Sequence, residues 1–552
     1  MRFLPLFLAI WLSAVLSSQA QTTSLSIGTE AQWPKHEVRA VWLTVVQGLD
    51  WPRTTNEEAQ RRDMRQILDK LQQAGINTVL LQARVRATTI YPSELEPWEG
   101  GFTGTPGKAP KYDPLQFCID ECHKRGMECH AWVVTIPIGK TNRIGAQQMR
   151  KKHPQMVKRI GDESYMDPTN PQTATYLANI CREIVKNYDV DGIHLDYIRY
   201  PETWAKPKKA GENAARRRQI TGIVKAISKA VKEQKPWVKM SCSPVGKYAD
   251  LTRYRAGGWN ARDAVAQEAQ LWLRDGLMDE LFPMMYFKDD NFYPFAIDWQ
   301  EQSHGRIVCP GLGIYFLDPR EGKWTLDIVE REMNVLRQLG MGHCYFRSKF
   351  FTDNVKGVYD MGARFDQVPA LVPPMTWMDK PAPTAPQTVQ INGDTLSWSG
   401  AQTRNDSPDL HYNVYASADF PVDITKATNL VATRIAATSL LVPATGVNYA
   451  VTATDRYGQE SHAIQLQLIA APQYAMAPII AKTDGRAIAL PDKGSTLDAD
   501  FVVVETMSGR QMGVFPYTRT LNVSTLPDGL YQLRSLGRKG RNHRIGFFAI
   551  KR

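Results

Sequence analysis

Val190-Asp191-Gly192-Ile193-His194-Leu195-Asp196-Tyr197-Ile198-Arg199-Tyr200-Pro201 decides how this chain is read. It begins as an apolar strand and ends in closely spaced polar groups. Strand side chains alternate between two faces, which predicts His194, Asp196 and Ile198 on one face and Ile193, Leu195 and Tyr197 on the other. A buried carboxylate is costly unless it is paired or used. Charge at the C-terminal end of a buried strand is where α/β barrels place their chemistry. The plain structural alternative is an Asp196–Arg199 pair that closes the strand end.

Outward from this stretch, strands and amphipathic helices alternate from about residue 37 to 350. Apolar runs at 38–46, 78–83, 127–135, 238–243, 280–286, 306–314 and 343–346 read as further strands. The segment 57–74 carries Met64, Ile67, Leu68 and Leu71 on one stripe, with Gly75 as its stop. Asp113-Pro114 and Asn170-Pro171 each set a capping residue before a proline at the first helical position. Helices also follow at 211–234, 264–274 and 325–339. Eight units with near-continuously apolar strands predict an α/β fold, a parallel sheet closed as a (β/α)8 TIM barrel. An open doubly wound sheet would carry a glycine-rich phosphate turn after its first strand. The chain has Gln47-Gly48-Leu49-Asp50-Trp51-Pro52 there.

At 552 residues, and roughly 150 per domain, two to four domains are expected. The barrel is assigned to 37–372 and a Pro-rich linker to 373–386, from Pro373-Pro374 to Pro381-Ala382-Pro383-Thr384-Ala385-Pro386. Short alternating strands then predict a β-sandwich over 387–470. With Trp398 as core tryptophan and the 449–461 strand and turn, it resembles a fibronectin type III module. A second β-sandwich is expected at 476–552. Its strands at 501–505, 521–524 and 529–533 and its ending Gly546-Phe547-Phe548-Ala549-Ile550-Lys551-Arg552 resemble the C-terminal sorting domain of the type IX secretion route of Bacteroidetes, without the early Asn-Pro turn.

Arg2, the apolar run 3–12 and Ser17-Ser18-Gln19-Ala20 read as a secretory signal peptide over residues 1–20. Export is therefore expected. No later apolar run approaches the roughly 20 residues of a membrane span. The seven cysteines show no regular spacing and predict no disulfide framework. Cys118 and Cys122 share a helix face, but a zinc site needs further ligands nearby. The net charge of +11 is modest for this length. Its densest run, Lys206 to Arg218 with Lys208 inside it, lacks the interleaved aromatics of a nucleic-acid surface, so no nucleic-acid partner is expected. The 14 Trp and 21 Tyr are a rich supply for sugar sites, although most must be core.

The barrel sequence resembles the glycosyl hydrolase-like 10 family of bacterial envelope proteins. The resemblance rests on Val38-Arg39-Ala40-Val41-Trp42-Leu43, Gln82-Ala83-Arg84, Ile90-Tyr91-Pro92-Ser93, Glu96-Pro97-Trp98, Tyr112-Asp113-Pro114-Leu115, His123-Lys124-Arg125-Gly126, His130-Ala131-Trp132, Asp191 to Tyr197 and Pro283-Met284-Met285-Tyr286, in that order. Thr88, Val134-Thr135-Ile136-Pro137 and the two methionines of the last motif depart from the family pattern. The resemblance implies hydrolysis of a poly- or oligosaccharide, with peptidoglycan glycan strands as one candidate. The common route needs two carboxyl groups. Asp196 is the first choice. Glu202 and Asp289 are favoured as its partner, ahead of Asp290, Glu94, Glu96 and Asp318. Gln82, Arg84, His130, Trp132, His194, Arg199, Tyr286 and Tyr315 are the expected substrate-binding shell, with Arg347 beside them. His130 and Gln82 read equally as hydrogen-bonded barrel filler. A metal-dependent deacetylase would need a His/Asp triad, and the histidines are isolated, so no metal or cofactor is expected. The contrary class is a catalytically silent carbohydrate-binding or scaffold protein on the same fold.

Overall fold

The computed structural model describes residues 33–207, 209, 211–256, 259–442, 447–468, 481–483, 486–490, 501–536 and 542–552. The signal-peptide expectation at 1–20, and Lys208 of the basic run, lie outside them. Among the described residues, no helix is long and apolar enough to cross a membrane.

Eight parallel strands form the barrel wall: β1 (Arg39–Leu43), β2 (Thr78–Arg84), β3 (Glu128–Val134), β4 (Gly192–Asp196), β5 (Lys239–Cys242), β6 (Glu280–Leu281 and Met284–Met285), β7 (Ile307–Val308 and Gly311–Leu312) and β8 (His343–Tyr345). Each pairs with the next in sequence, and β8 pairs with β1, so the sheet closes on itself. β6 and β7 are each interrupted at a proline, Pro283 and Pro310, which has no N–H for the ladder. The expected 264–274 helix is two short ones, Ala261–Ala264 and Ala269–Arg274. A helix at Tyr293–Glu301 and a three-stranded antiparallel insertion between 137 and 166 were not anticipated.

Outward-facing Ile193 and Leu195 of β4 join the large core under the helices. That core takes the stripes of α1 (Glu57–Gln73) and α2 (Pro171–Asn187), including Met64, Leu68, Leu71, Leu177, Ile180 and Ile184. The second helix starts as its Asn170-Pro171 signal predicts, with Asn170 accepting from the Gln172 N–H, and the first is capped by Asn56, which accepts from the Ala59 N–H. Inside the barrel sit Ala40, Trp42, Leu80, Trp132, Val134, Phe282, Cys309 and Cys344. Tyr197 departs from the expected alternation. Its φ of +53° breaks the strand and turns the ring onto this inner cluster, while Ile198 goes to the outer core. All seven cysteines are buried free thiols.

At the N-terminal end of the barrel lies a buried charged layer. Glu128 accepts from Lys239 Nζ at 2.6 Å and contacts His130 Nε2 at 3.0 Å. Burial pushes the Glu128 carboxyl up, but Lys239, His130 and Arg434 outweigh it and hold it down at about 2. Glu280 has no such set of partners, and burial pushes it up to about 7.

Beyond the barrel, one three-stranded and one four-stranded antiparallel sheet make a sandwich between Val389 and Leu466. Trp398 lies in its core against Tyr412, Val414 and Tyr449. The sandwich docks beneath the barrel. Arg434 reaches Glu128 Oε1 at 2.9 Å and Asp191 Oδ1 at 2.7 Å, and Arg456 reaches Asp189 and Asp191 at 2.9 and 3.4 Å. A five-stranded sheet and a strand pair follow between Ala481 and Ile550, and Met507, Leu530 and Phe547 pack onto the sandwich core.

Candidate active site

The opposite, C-terminal end of the barrel holds Asp196. It is the last residue of β4 and is buried. Three donors orient its carboxylate: Ser243 Oγ to Oδ1 at 2.8 Å, the Tyr197 N–H to Oδ1 at 2.8 Å and Trp132 Nε1 to Oδ2 at 3.1 Å. Thr135 grips the backbone, donating its N–H and hydroxyl to the Asp196 carbonyl at 2.9 and 2.8 Å. Burial pushes the carboxyl above the ordinary aspartate range. The Arg199 charge and the three donors pull against this without reversing it. Left-handed backbone at a bulky residue costs on the order of 1–3 kcal/mol and clusters at functional sites, and Tyr197 next to Asp196 is such a residue.

His194 lies one layer below and does not hydrogen-bond Asp196. Trp42 Nε1 donates to His194 Nε2 at 3.1 Å, so the ring proton sits on Nδ1, 3.0 Å from Ser241 Oγ. Burial, and then the neighbouring His130, hold its pKa well below the usual imidazole value. His194 is thus a neutral link that fixes Trp42 under the mouth. Trp132 both packs this layer and orients Asp196.

Arg199 does not close an ion pair on Asp196. Its Nη2 meets Glu202 Oε2 at 3.5 Å, and its guanidinium lies 4.5 Å from the Tyr197 ring centroid. Glu202 is exposed; its charge and that of Asp196 both act on the Tyr197 phenol. Tyr286 follows β6. Its buried hydroxyl has no hydrogen-bond partner among the described residues, and after burial and Cys344 the Asp196 charge contributes to raising its pKa. Tyr315 and Phe346 pack on Tyr286 at 5.6 and 5.1 Å, making an aromatic wall at the mouth.

Other expected site residues serve the frame. Gln82 Oε1 accepts the Val45 and Val46 N–H groups at 2.9 and 2.8 Å, pinning the loop after β1. Arg84 is sealed in a two-pronged pair with Glu96, at 2.8 and 2.6 Å, and donates to the Val134 and Thr135 carbonyls. His130 belongs to the basal layer with Glu128 and Glu280, because it stands early in β3. Asp289 is exposed on the turn after β6, and its charge bears on Glu332 and Tyr293 of the outer helices. Asp318 is held by Arg320, and Arg347 by Asp50. Ser243, Thr135 and Trp42 were missed in the sequence. Ser241 and Ser243 share one face of β5 by simple alternation, and a search for a second carboxylate passes over them.

Among the described residues, one group has ligand atoms close enough for a metal: Glu37, His343 and Asp366. Two guanidinium groups already fill it. Arg39 Nε lies 2.7 Å from Glu37 and 3.2 Å from Asp366, and Arg337 Nη2 lies 2.6 and 2.7 Å from the same two carboxylates. The donor set does not fit a cation.

A closed (β/α)8 barrel with an oriented, buried aspartate at the C-terminal mouth is the architecture of a glycosidase-type fold. Residues 37–312 match the family described as Glycosyl hydrolase-like 10, and the chain belongs to that family. It is 30% identical over 397 residues to Glycosyl hydrolase YngK of Bacillus subtilis (strain 168), covering 65% of this chain and 77% of that protein. It is 32% identical over 293 residues to Glycosyl hydrolase DigH of Escherichia coli (strain K12), covering 46% and 67%. Among solved structures, the PgaB (BpsB) glycoside hydrolase domain from Bordetella bronchiseptica aligns with a TM-score of 0.41 and 14% identity, over 60% of this chain and 98% of that one.

Proposed function

We propose that the protein is an exported glycoside hydrolase that cleaves glycosidic bonds of a bacterial or environmental glycan, with peptidoglycan glycan strands the first substrate to test. The observation that carries this reading is Asp196, buried at the barrel mouth and oriented by Ser243, Trp132 and the Tyr197 N–H. A carboxyl group fixed this way can act as acid, base or nucleophile at an acetal carbon. Glu202, 3.5 Å from the Arg199 guanidinium whose charge acts on Asp196, is its proposed partner carboxylate. Family membership and two curated relatives named glycosyl hydrolases support the same chemistry. We further assign the sandwich as a fibronectin type III-like module, since its three-plus-four strand arrangement around Trp398 fits one.

A second reading is a silent carbohydrate-binding scaffold. It is favoured by one fact: the two favoured partner carboxylates, Glu202 and Asp289, are both exposed, whereas Asp196 is buried. Asp196→Asn separates the two. A hydrolase loses roughly a thousandfold or more in kcat while melting at the same temperature. A binder shows no turnover to lose and keeps its affinity.

A further inference from the structure

We propose that Trp259 is a sugar-stacking platform beside Asp196, backed by Arg199, and that it forms a subsite for a glycan residue next to the bond that is cut. The inference rests on the hydrolase reading and names a residue and a binding mode for that site.

Trp259 is 44% exposed, unusual for the largest apolar side chain. It stands on the loop after β5, the loop that also carries Ser243, so it belongs to the Asp196 end of the barrel. Tyr254 of the same loop and Leu49 of the loop after β1 are also exposed at this end. The position of Trp259 is pinned. The next residue, Asn260, caps the Ala261–Ala264 helix by accepting from the Asp263 and Ala264 N–H groups at 2.6 and 3.0 Å. The Ala261 N–H is tied to the Lys247 carbonyl at 2.8 Å. The Lys247 ammonium is itself anchored on Asn291 and on the Ala256 carbonyl.

Arg199 connects this ring to the catalytic carboxylate. Its guanidinium lies 5.9 Å from the Trp259 ring centroid and 4.5 Å from that of Tyr197, and its charge acts on Asp196. Arg199 is buried, and its Nε has no hydrogen-bond partner among the described residues. The cation therefore stabilises the indole from within while the ring stays open to solvent. A pyranose ring presents an apolar C–H face that a rigid, flat and exposed indole matches, with little conformational entropy lost on binding.

The test uses the full chain and soluble glycan strands prepared from bacterial peptidoglycan, with new reducing ends as the rate and intrinsic tryptophan fluorescence as the binding signal. Trp259→Ala is expected to raise KM about tenfold with kcat changed by less than about threefold, and Trp259→Phe to restore most of the loss. In an Asp196→Asn background, glycan is expected to quench fluorescence, and addition of Trp259→Ala to abolish the quench. An unchanged melting temperature in Trp259→Ala certifies the fold, as expected for an exposed side chain. Wild-type turnover with a KM within about twofold in Trp259→Ala would overturn the platform and leave the hydrolase reading standing. No turnover by the wild type, with no quench in Asp196→Asn, would overturn both.

Discussion

Asp196 is raised by burial and restrained by its donors, so each donor is a handle on its titration. Removing the Ser243 hydroxyl removes a hydrogen bond to the ionised form. In Ser243→Ala, the limb of the kcat/KM profile set by Asp196 is expected to move to higher pH, whichever protonation state is active, with activity about tenfold lower. A profile that stays in place would show that Ser243 does not tune Asp196. A second residue titrates away from the site. Glu332 is fully buried, neither of its oxygens has a hydrogen-bond partner among the described residues, and burial, helped by Asp289, pushes it up to about 9 from an ordinary 4.5. The folded chain keeps a proton that the unfolded chain releases, so stability falls as pH rises from 4.5 toward 9. By about pH 7 this costs on the order of 3 kcal/mol. Glu332→Gln is expected to melt higher than wild type at pH 8 and nearly level with it at pH 5; equal melting at both would refute the assignment.

β4 is anchored at both ends by acids, Asp191 just before it and Asp196 as its last residue. Asp191 at the base accepts from the Cys129 N–H and His123 at 2.8 Å each and from the sandwich arginines; Asp196 at the top carries the proposed site. Between them, Gly192 lies against the His130 ring. A Cβ there would come within 2.5 Å of His130 Nδ1, so Gly192→Ala is expected to cost about 1–3 kcal/mol in denaturant unfolding. Much of this was legible in the sequence. The barrel followed from eight apolar runs spaced by amphipathic helices, and Asp196 stood out as charge at a buried strand end. The frame was less legible, because packing between elements, and not residue type, decides which partners a side chain meets. His130 and Arg84 look like site residues in the sequence, yet one sits in the basal layer and the other is consumed by Glu96. Tyr197 reversed its expected face through one backbone angle that alternation cannot foresee. Ser243 was invisible to a reading that sought a carboxylate partner.

In the whole molecule, the sandwich meets the barrel at the end opposite Asp196, through Arg434 and Arg456 on Glu128, Asp189 and Asp191. This places it as a brace on the barrel's base and away from the mouth. Arg434→Ala leaves buried Glu128 and Asp191 each short of a cation, and is expected to lower stability by about 3 kcal/mol with KM unchanged. A shift in KM would instead put the sandwich in contact with substrate. Asp196 is proposed to carry out glycosidic hydrolysis at the barrel mouth. The most direct measurement is the release of new reducing ends from peptidoglycan glycan strands by the wild type and by Asp196→Asn. The wild type is expected to turn over, with a loss of roughly a thousandfold or more in the variant at an unchanged melting temperature. Equal rates for the two proteins would refute that role for Asp196.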